Sequence, residues 1–278
     1  MAKKTAAPKE EKVKKLDERK ESRAVAVQES NVPAVADAPI DEAWGTEGLD
    51  ASDMLVPKLL LMQGLSKFVT DGDAQQGQVV DSLSKEVVGG ITNIKAGTGD
   101  KVELVVFSTF KTWIEFEKID DEYEFVKQFP MNASNVNLAQ EEVVNGIEVR
   151  RDRCLNFYVL LPSQIADGSA LPYVISFRRT SMRAGKKISS MAQRLKALGR
   201  KPIAFKKVVL SVVPMQRDDK KWWSYEMEEG ENSSQAELNE AHKWYQVLKS
   251  ATVRVDDSDL KEKAEAPAPV VSDAEQEY

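Results

Sequence analysis

From Gly168 to Arg217, fifty consecutive residues hold twelve Lys and Arg and no Asp or Glu, in a chain whose net charge is −6. They are Arg178, Arg179, Arg183, Lys186, Lys187, Arg194, Lys196, Arg200, Lys201, Lys206, Lys207 and Arg217. Cations segregated in this way fit a polyanion, because neutralising phosphates releases condensed counterions and supplies most non-specific affinity. The competing arrangement is a solvated basic face, paired with acidic strands elsewhere or with the chain's own acidic tail. Aromatic residues are interleaved with the charge. Phe177 precedes Arg178-Arg179, and Lys220-Lys221 run directly into Trp222-Trp223-Ser224-Tyr225. In an extended strand Trp222 and Ser224 lie on one side, Trp223 and Tyr225 on the other. One side fills a core and the other presents rings; Tyr158 and Trp113 face the same choice. Exposed rings among cations are what unpaired bases need, since bases stack on the rings while phosphates follow the charge.

The expected surface therefore takes phosphates on Arg178, Arg179, Arg183, Lys186, Lys187, Arg194, Lys201, Lys206, Lys207, Arg217, Lys220 and Lys221. Trp113, Tyr158, Phe177, Trp222, Trp223 and Tyr225 are its candidate stacking residues. Arg183-Ala184-Gly185-Lys186-Lys187 is not a nucleotide-binding P-loop: Thr180 stands where the first Gly belongs and Lys187 where the hydroxyl belongs. A Gly-Lys-Lys turn opening a helix can still hold a phosphate on backbone N–H groups.

Catalytic chemistry finds little support. Cys154 is the sole cysteine and His242 the sole histidine, which excludes an intramolecular disulfide, multi-Cys metal sites and His-rich zinc sites. Cys154 reads as a partly buried small residue and His242 as a surface residue. Asp218-Asp219 and Asp120-Asp121-Glu122 read as turn and loop chemistry. No enzymatic activity, metal or cofactor is expected.

The elements that must position these residues lie between charged ends. Residues 1–23 carry nine bases against five acids, and residues 24–53 carry seven acids and no base. Residues 254–278 carry eight acids against three bases. Both ends are poor in periodic apolar residues and read as disordered, with at most a transient helix over Glu10 to Arg23. The N-terminus has lysines with no apolar segment behind them, so no secretory signal is expected. No stretch reaches the roughly 18 apolar residues of a transmembrane helix. A cytoplasmic protein without a membrane partner is expected, in the host cytoplasm if phage-encoded.

The folded part is expected from about Met54 to Val253. Alternation over Val102–Val106 and Trp113–Glu117, the apolar run Leu155–Leu161, Tyr173–Phe177, and Ile203–Val213 turning through Gln216–Lys220 into Trp222–Met227 predict strands, the last pair a hairpin. Ile188, Met191, Ala192, Leu195 and Leu198 predict a helix stopped by Gly199. Ser234 and Glu237 predict a capping box for a second helix, with Leu238, Ala241, Tyr245 and Leu248 as its buried stripe. Strands, helix, hairpin and closing helix suit a mainly β fold with appended helices, an OB-like antiparallel barrel or, nearly as well, a β-sandwich.

An aromatic and basic β region, Phe177 through Tyr225, followed by an acidic tail closing in Tyr278, resembles the single-stranded DNA-binding proteins of bacteriophages and bacteria. Segments 53–80 and 176–188 are similar to those of phage replication-region proteins. The resemblance implies an OB fold, sequence-independent binding of exposed strands in replication and recombination, and recruitment of replication or recombination proteins by the tail. Asp273, Glu275, Glu277 and Tyr278 would make that tail contact. A homo-oligomer is possible on this reading. The rival roles are a strand-annealing recombination protein and a virion or scaffold protein.

Overall fold

Eighteen residues, Val102–Ile119, form a single strand about 60 Å long at the usual rise per residue, and the fold is organised around it. The computed structural model describes residues 53–94, 96–250 and 254–256. The charged N-terminal arm through residue 52 and the tail from residue 257 lie outside the described residues. So do Asp273, Glu275, Glu277 and Tyr278.

In chain order, β1 (Leu55–Val56), β2 (Lys58–Leu61) and the short helix α1 (Lys67–Thr70) lead into a meander of β3 (Gln78–Asp81), β4 (Val87–Asn93) and β5 (Thr98–Asp100). The long strand β6 (Val102–Ile119) is followed by β7 (Glu122–Pro130), β8 (Glu141–Val144) and a second long strand, β9 (Ile147–Leu160). After these come α2 (Pro162–Ala166), β10 (Tyr173–Phe177) and α3 (Met182–Ala197). The hairpin β11 (Lys206–Arg217) and β12 (Lys220–Asn232), then α4 (Gln235–Ser250) and β13 (Arg254–Val255), complete the order.

Eleven strands form one sheet in the order β12-β11-β6-β9-β10-β2-β3-β4-β5, with β7 on β6 and β8 on β9. Strands make up 48% of the described residues and curl into a half-barrel, so the fold is mainly β with few appended helices. One pairing in this sheet departs from the antiparallel expectation: β10 runs parallel to β2. A separate parallel pair joins β1 to β13, and the Asp256 N–H donates to the Val56 carbonyl at 3.0 Å. β6 changes partners along its length. Val102–Leu104 pair with β11, while Thr112–Ile119 pair with β7 on the same edge.

The half-barrel is drawn together at a seam. The Gln63 side chain donates to the Trp223 carbonyl and accepts from the Trp223 N–H, both at 3.0 Å, so one amide acts as a strand would. The larger core lies between one face of the sheet and α3, with Phe157, Phe177, Ile188 and Met191 among its most buried members. A smaller core on the opposite face holds Val105, Phe107, Leu160 and Ala204 beneath Ala241 of α4.

The helical stripe on α3 is real but displaced. The helix begins at Met182 and buries Ala184, Gly185, Ile188, Met191 and Leu195, whereas Leu198 lies past its last turn and is 73% exposed. Gly185 is where the helix meets β10: a Cβ there would stand 2.8 Å from the Phe177 Cβ. On α4 the expected box forms, with the Ser234 N–H donating to Glu237 Oε2 at 2.6 Å and the Glu237 N–H to Ser234 Oγ at 3.2 Å. Ser234→Ala should therefore lower folding stability by about 1 kcal/mol, measured by denaturant unfolding; an unchanged midpoint would show the cap to be dispensable. Tyr245, expected in the stripe, is exposed, and Trp244 packs against the smaller core instead. The helix turns by about 100° per residue, so a one-residue shift moves a side chain from flank to face.

Beyond the main core, β6 and β9 continue as a four-stranded extension with β7 and β8. Its own apolar cluster is small: Ile114 and Cys154, with Phe116 and Phe125 against them. A buried ion network stiffens it. Arg151 Nε donates to Glu115 Oε2 and its NH1 to Glu142 Oε1, both at 2.6 Å, while Lys127 reaches Glu115 at 2.9 Å. Burial opposes ionisation of Glu115, but these hydrogen bonds prevail and hold its carboxyl below the ordinary value.

Candidate nucleic-acid interface

Helical spacing gathers the basic stretch onto one side of α3. Arg183, Lys186, Lys187, Ser190 and Arg194 line a groove of about 670 Å³ against β12, with Met182, Met191 and Met227 as its apolar lining and Glu229 at its edge. Met227 fixes the geometry, since its side chain joins the main core while its carbonyl accepts from Lys187 Nζ at 3.3 Å.

The acidic strand answers part of this charge. Lys187 stands 4.0 Å from Glu226, and Arg194 is ion-paired with Glu229. The competing arrangement, cations paired with acidic strands, is thus realised at two positions. Lys207 is a third: its side chain is only 15% exposed and lies 3.3 Å from Glu103 and 3.8 Å from Glu237. Burial alone would lower its pKa, but the Glu103 hydrogen bond and neighbouring carboxylates raise it. As placed, it is an internal tie and offers no phosphate contact. Arg178 and Arg179 lie at the near end of α3, where both meet Asp152, at 3.9 and 2.5 Å. Arg183 and Lys186, by contrast, make no ion pair among the described residues.

The remaining cations sit on two other surfaces. Lys220 and Lys221 are exposed at the tip of the β11–β12 hairpin, with Arg217 there 3.9 Å from Asp218. Arg217, Lys220 and Trp222 share a recess of about 340 Å³ with Asp218 and Asp219. The tip lies about 23 Å along β12 from Met227 at strand rise. Lys201 stands 3.8 Å over the Phe205 ring, and Lys206 is half-buried beside it in sequence.

Most candidate rings are core. Phe177 is 0% exposed and meets Phe157 and Tyr225 edge-on, at 5.7 and 5.5 Å between centroids. Tyr225 is 7% exposed, and burial pushes its phenol pKa well up. Trp113 is 3% exposed and donates its indole N–H to the Asn135 carbonyl at 3.0 Å. None of these three can offer a face to a base in this fold. For Tyr225 the cause is register: Val212 opposes Tyr225 and Leu210 opposes Met227, so the side of β12 bearing Trp223, Tyr225 and Met227 looks into the α3 core. Trp223 packs partly against that core, and Tyr158 is half-buried beside Phe107 and Phe110 on the α4 face. Trp222, on the outward side and beside cations, is the ring best placed to stack.

The Gly-Lys-Lys segment does not open a helix. Gly185, Lys186 and Lys187 follow Met182–Ala184 inside α3, where their N–H groups serve the helix itself. The glycine is needed for close approach to Phe177 rather than for a phosphate. Asp218-Asp219 and Asp120-Asp121 do make turns, with φ of 54° at Asp218 and 48° and 66° at the second pair. His242 is exposed and pairs with Gln246 at 3.3 Å. Cys154 is buried and free, and burial pushes its thiol up to about 11. Native protein should resist alkylation by iodoacetamide at neutral pH and react once unfolded. The unfolded thiol loses its proton first, so this group withdraws stability as pH rises from about 8.5 towards about 11. Fast labelling of the native protein would contradict the burial.

Sequence reading passed over Arg150, Phe116, Tyr123 and Phe205, which all carry or receive cation–ring contacts. A strand-by-strand count of faces would have separated Arg150 from the internal Arg151 next to it.

A family model described as Pam3 phage gp34-like protein matches residues 21–254, which is most of the chain. The chain belongs to the Pam3 phage gp34-like protein family. No curated protein and no solved structure matches it. The match spans β1 through α4, so the groove, the hairpin and the four-stranded extension are all part of the region shared with Pam3 phage gp34-like proteins. Among the described residues, no helix of this family member is long and apolar enough to cross a membrane.

Proposed function

We propose that this Pam3 phage gp34-like protein binds single-stranded DNA without sequence preference, as a non-enzymatic participant in phage DNA replication or recombination in the host cytoplasm. The observation that carries the reading is the groove between α3 and β12. Its helical wall presents four cations and no acid, and two of them, Arg183 and Lys186, have no internal carboxylate partner among the described residues. A surface of point charges without a rigid base-reading pocket grips backbone rather than sequence. Trp222, with Lys220, Lys221 and Arg217, would extend the path by stacking a base at the hairpin tip. The acidic tail would recruit replication or recombination partners through Asp273, Glu275, Glu277 and Tyr278.

The test is a titration of the full chain with a mixed-sequence single strand and with its duplex, at several salt concentrations. Binding should prefer the single strand and weaken with salt at a log–log slope near about −0.7 per phosphate contacted. No binding at low salt would overturn the reading and leave the basic helix as a protein-contact surface in a virion or scaffold. Stimulated pairing of complementary strands, with rings or filaments on the strand, would assign the annealing role instead.

A further inference from the structure

At the root of the four-stranded extension Arg178 and Arg179 meet the Asp152 carboxylate, and Arg150 shares the Phe116 ring with Arg179. Arg150 on β9 lies opposite Phe116 of β6 in the sheet register. Its guanidinium carbon stands 4.0 Å from the Tyr123 ring centroid and 5.1 Å from that of Phe116. The rings hold the side chain without using its donors. Arg150 Nε is buried and has no hydrogen-bond partner, and the residue makes no ion pair among the described residues. Arg179 approaches the same Phe116 ring, at 5.8 Å, and both it and Arg178 turn towards Asp152. The Arg179 backbone is held at φ 47°, a left-handed conformation that non-glycine residues seldom adopt. Burial, and next the Arg179 charge, push the Arg150 guanidinium below its ordinary value. Crowded cations with spare donors are the electrostatic description of an oxyanion site. Glu141, paired with Arg150 in the β8–β9 ladder, is the other acid nearby and makes no ion pair with it.

The location is continuous with the groove. Arg178 caps and Arg179 opens a single 3-10 turn, Arg179–Ser181, that runs directly into α3, and the first turn of α3 carries Arg183 and no acid. A helix N-terminus adds positive potential there.

We propose that Arg150, Arg178 and Arg179 form a phosphate seat that takes a backbone phosphate of the same single strand beyond the α3 groove, with Asp152 as the internal competitor that an incoming phosphate displaces from the arginines. This rests on the single-strand reading above. The rings of Phe116 and Tyr123 orient Arg150, whose buried and unpartnered Nε–H would gain an acceptor as the phosphate is seated.

The test uses the full chain, a mixed-sequence single strand and salt titrations of wild type, Arg150→Gln and Asp152→Asn. Arg150→Gln should lower affinity about tenfold and make the salt slope shallower by about 0.7. Asp152→Asn should raise affinity, and a gain of that kind cannot come from a damaged fold. Wild-type binding with unchanged affinity and slope in both variants would overturn the seat and leave the single-strand reading standing. No wild-type binding to the strand would overturn both. Inorganic phosphate, added alone while the Arg150 Nε–H resonance is followed, separates a seat for any small oxyanion from one that needs the strand. A shift with phosphate but none of the DNA effects would overturn the proposed source.

Discussion

Replacing Arg183 and Lys186 together by alanine should weaken single-strand binding uniformly across sequences, by about tenfold or more. These are the cations of the α3 groove that no carboxylate of the described residues holds, so their charge is available without breaking an existing pair. Each phosphate that the variant no longer neutralises should also flatten the log–log salt slope by about 0.7. The paired cations behave differently. Lys187→Ala with Arg194→Ala removes cations that already engage Glu226 and Glu229, and frees those acids to repel the strand. Affinity would fall there too, but the number of released counterions would change less than for the unpaired residues. Equal slope changes for the two double variants would refute the distinction, and unchanged affinity in Arg183→Ala with Lys186→Ala would remove the groove from the interface.

Phe177→Ala should cost about 3–5 kcal/mol of folding stability, because it empties a fully buried aromatic position. The ring is packed between Phe157, Tyr225 and the backbone of Gly185, where the helix comes too close to admit even a methyl group. Trp222→Ala should show the opposite profile. It removes a half-buried ring at the hairpin tip, costs little stability, and lowers single-strand affinity by about 1–3 kcal/mol if the ring stacks on a base. Denaturant midpoints and binding isotherms on the two variants separate core from contact. A stable Phe177→Ala would mean the packing is looser than its geometry, and a Trp222→Ala with intact binding would leave no ring in the interface at the tip.

What could be read from the sequence was what depends on neighbours along the chain. The β11–β12 hairpin, the Ser234–Glu237 box and the α3 stripe each rest on local spacing, and each formed. The long strands were legible only in fragments: Val102–Val106 and Trp113–Glu117 are one strand, because β6 keeps pairing with β9 through Phe110 and Lys111, where the apolar alternation lapses. The parallel pairing of β10 with β2 joins segments more than a hundred residues apart, and no local pattern encodes it. Alternation also divided the Trp222–Tyr225 rings correctly into two sides. It could not say which side meets α3, since that depends on the order of strands in the sheet. Arg150 escaped for a similar reason, lying in the mixed run Arg150-Arg151-Asp152-Arg153, where adjacent arginines serve opposite faces.

The seam at Gln63 has a consequence for how the domain breathes. Between the meander and the hairpin no ladder of strand hydrogen bonds is present among the described residues; β5 and β12 end the main run of the sheet there. Parting them there breaks the two bonds of one side-chain amide and the packing of Trp223 beside Gly77. Every other opening within the sheet must unzip a paired strand. Sub-global opening follows the least costly boundary, so the Trp223 amide should exchange with solvent deuterium well before the central amides of β6 and β9. Slow exchange at Trp223, matching the central strands, would show that the latch is as strong as the sheet it closes. Fast exchange would make this single glutamine the hinge pin on which the half-barrel swings open.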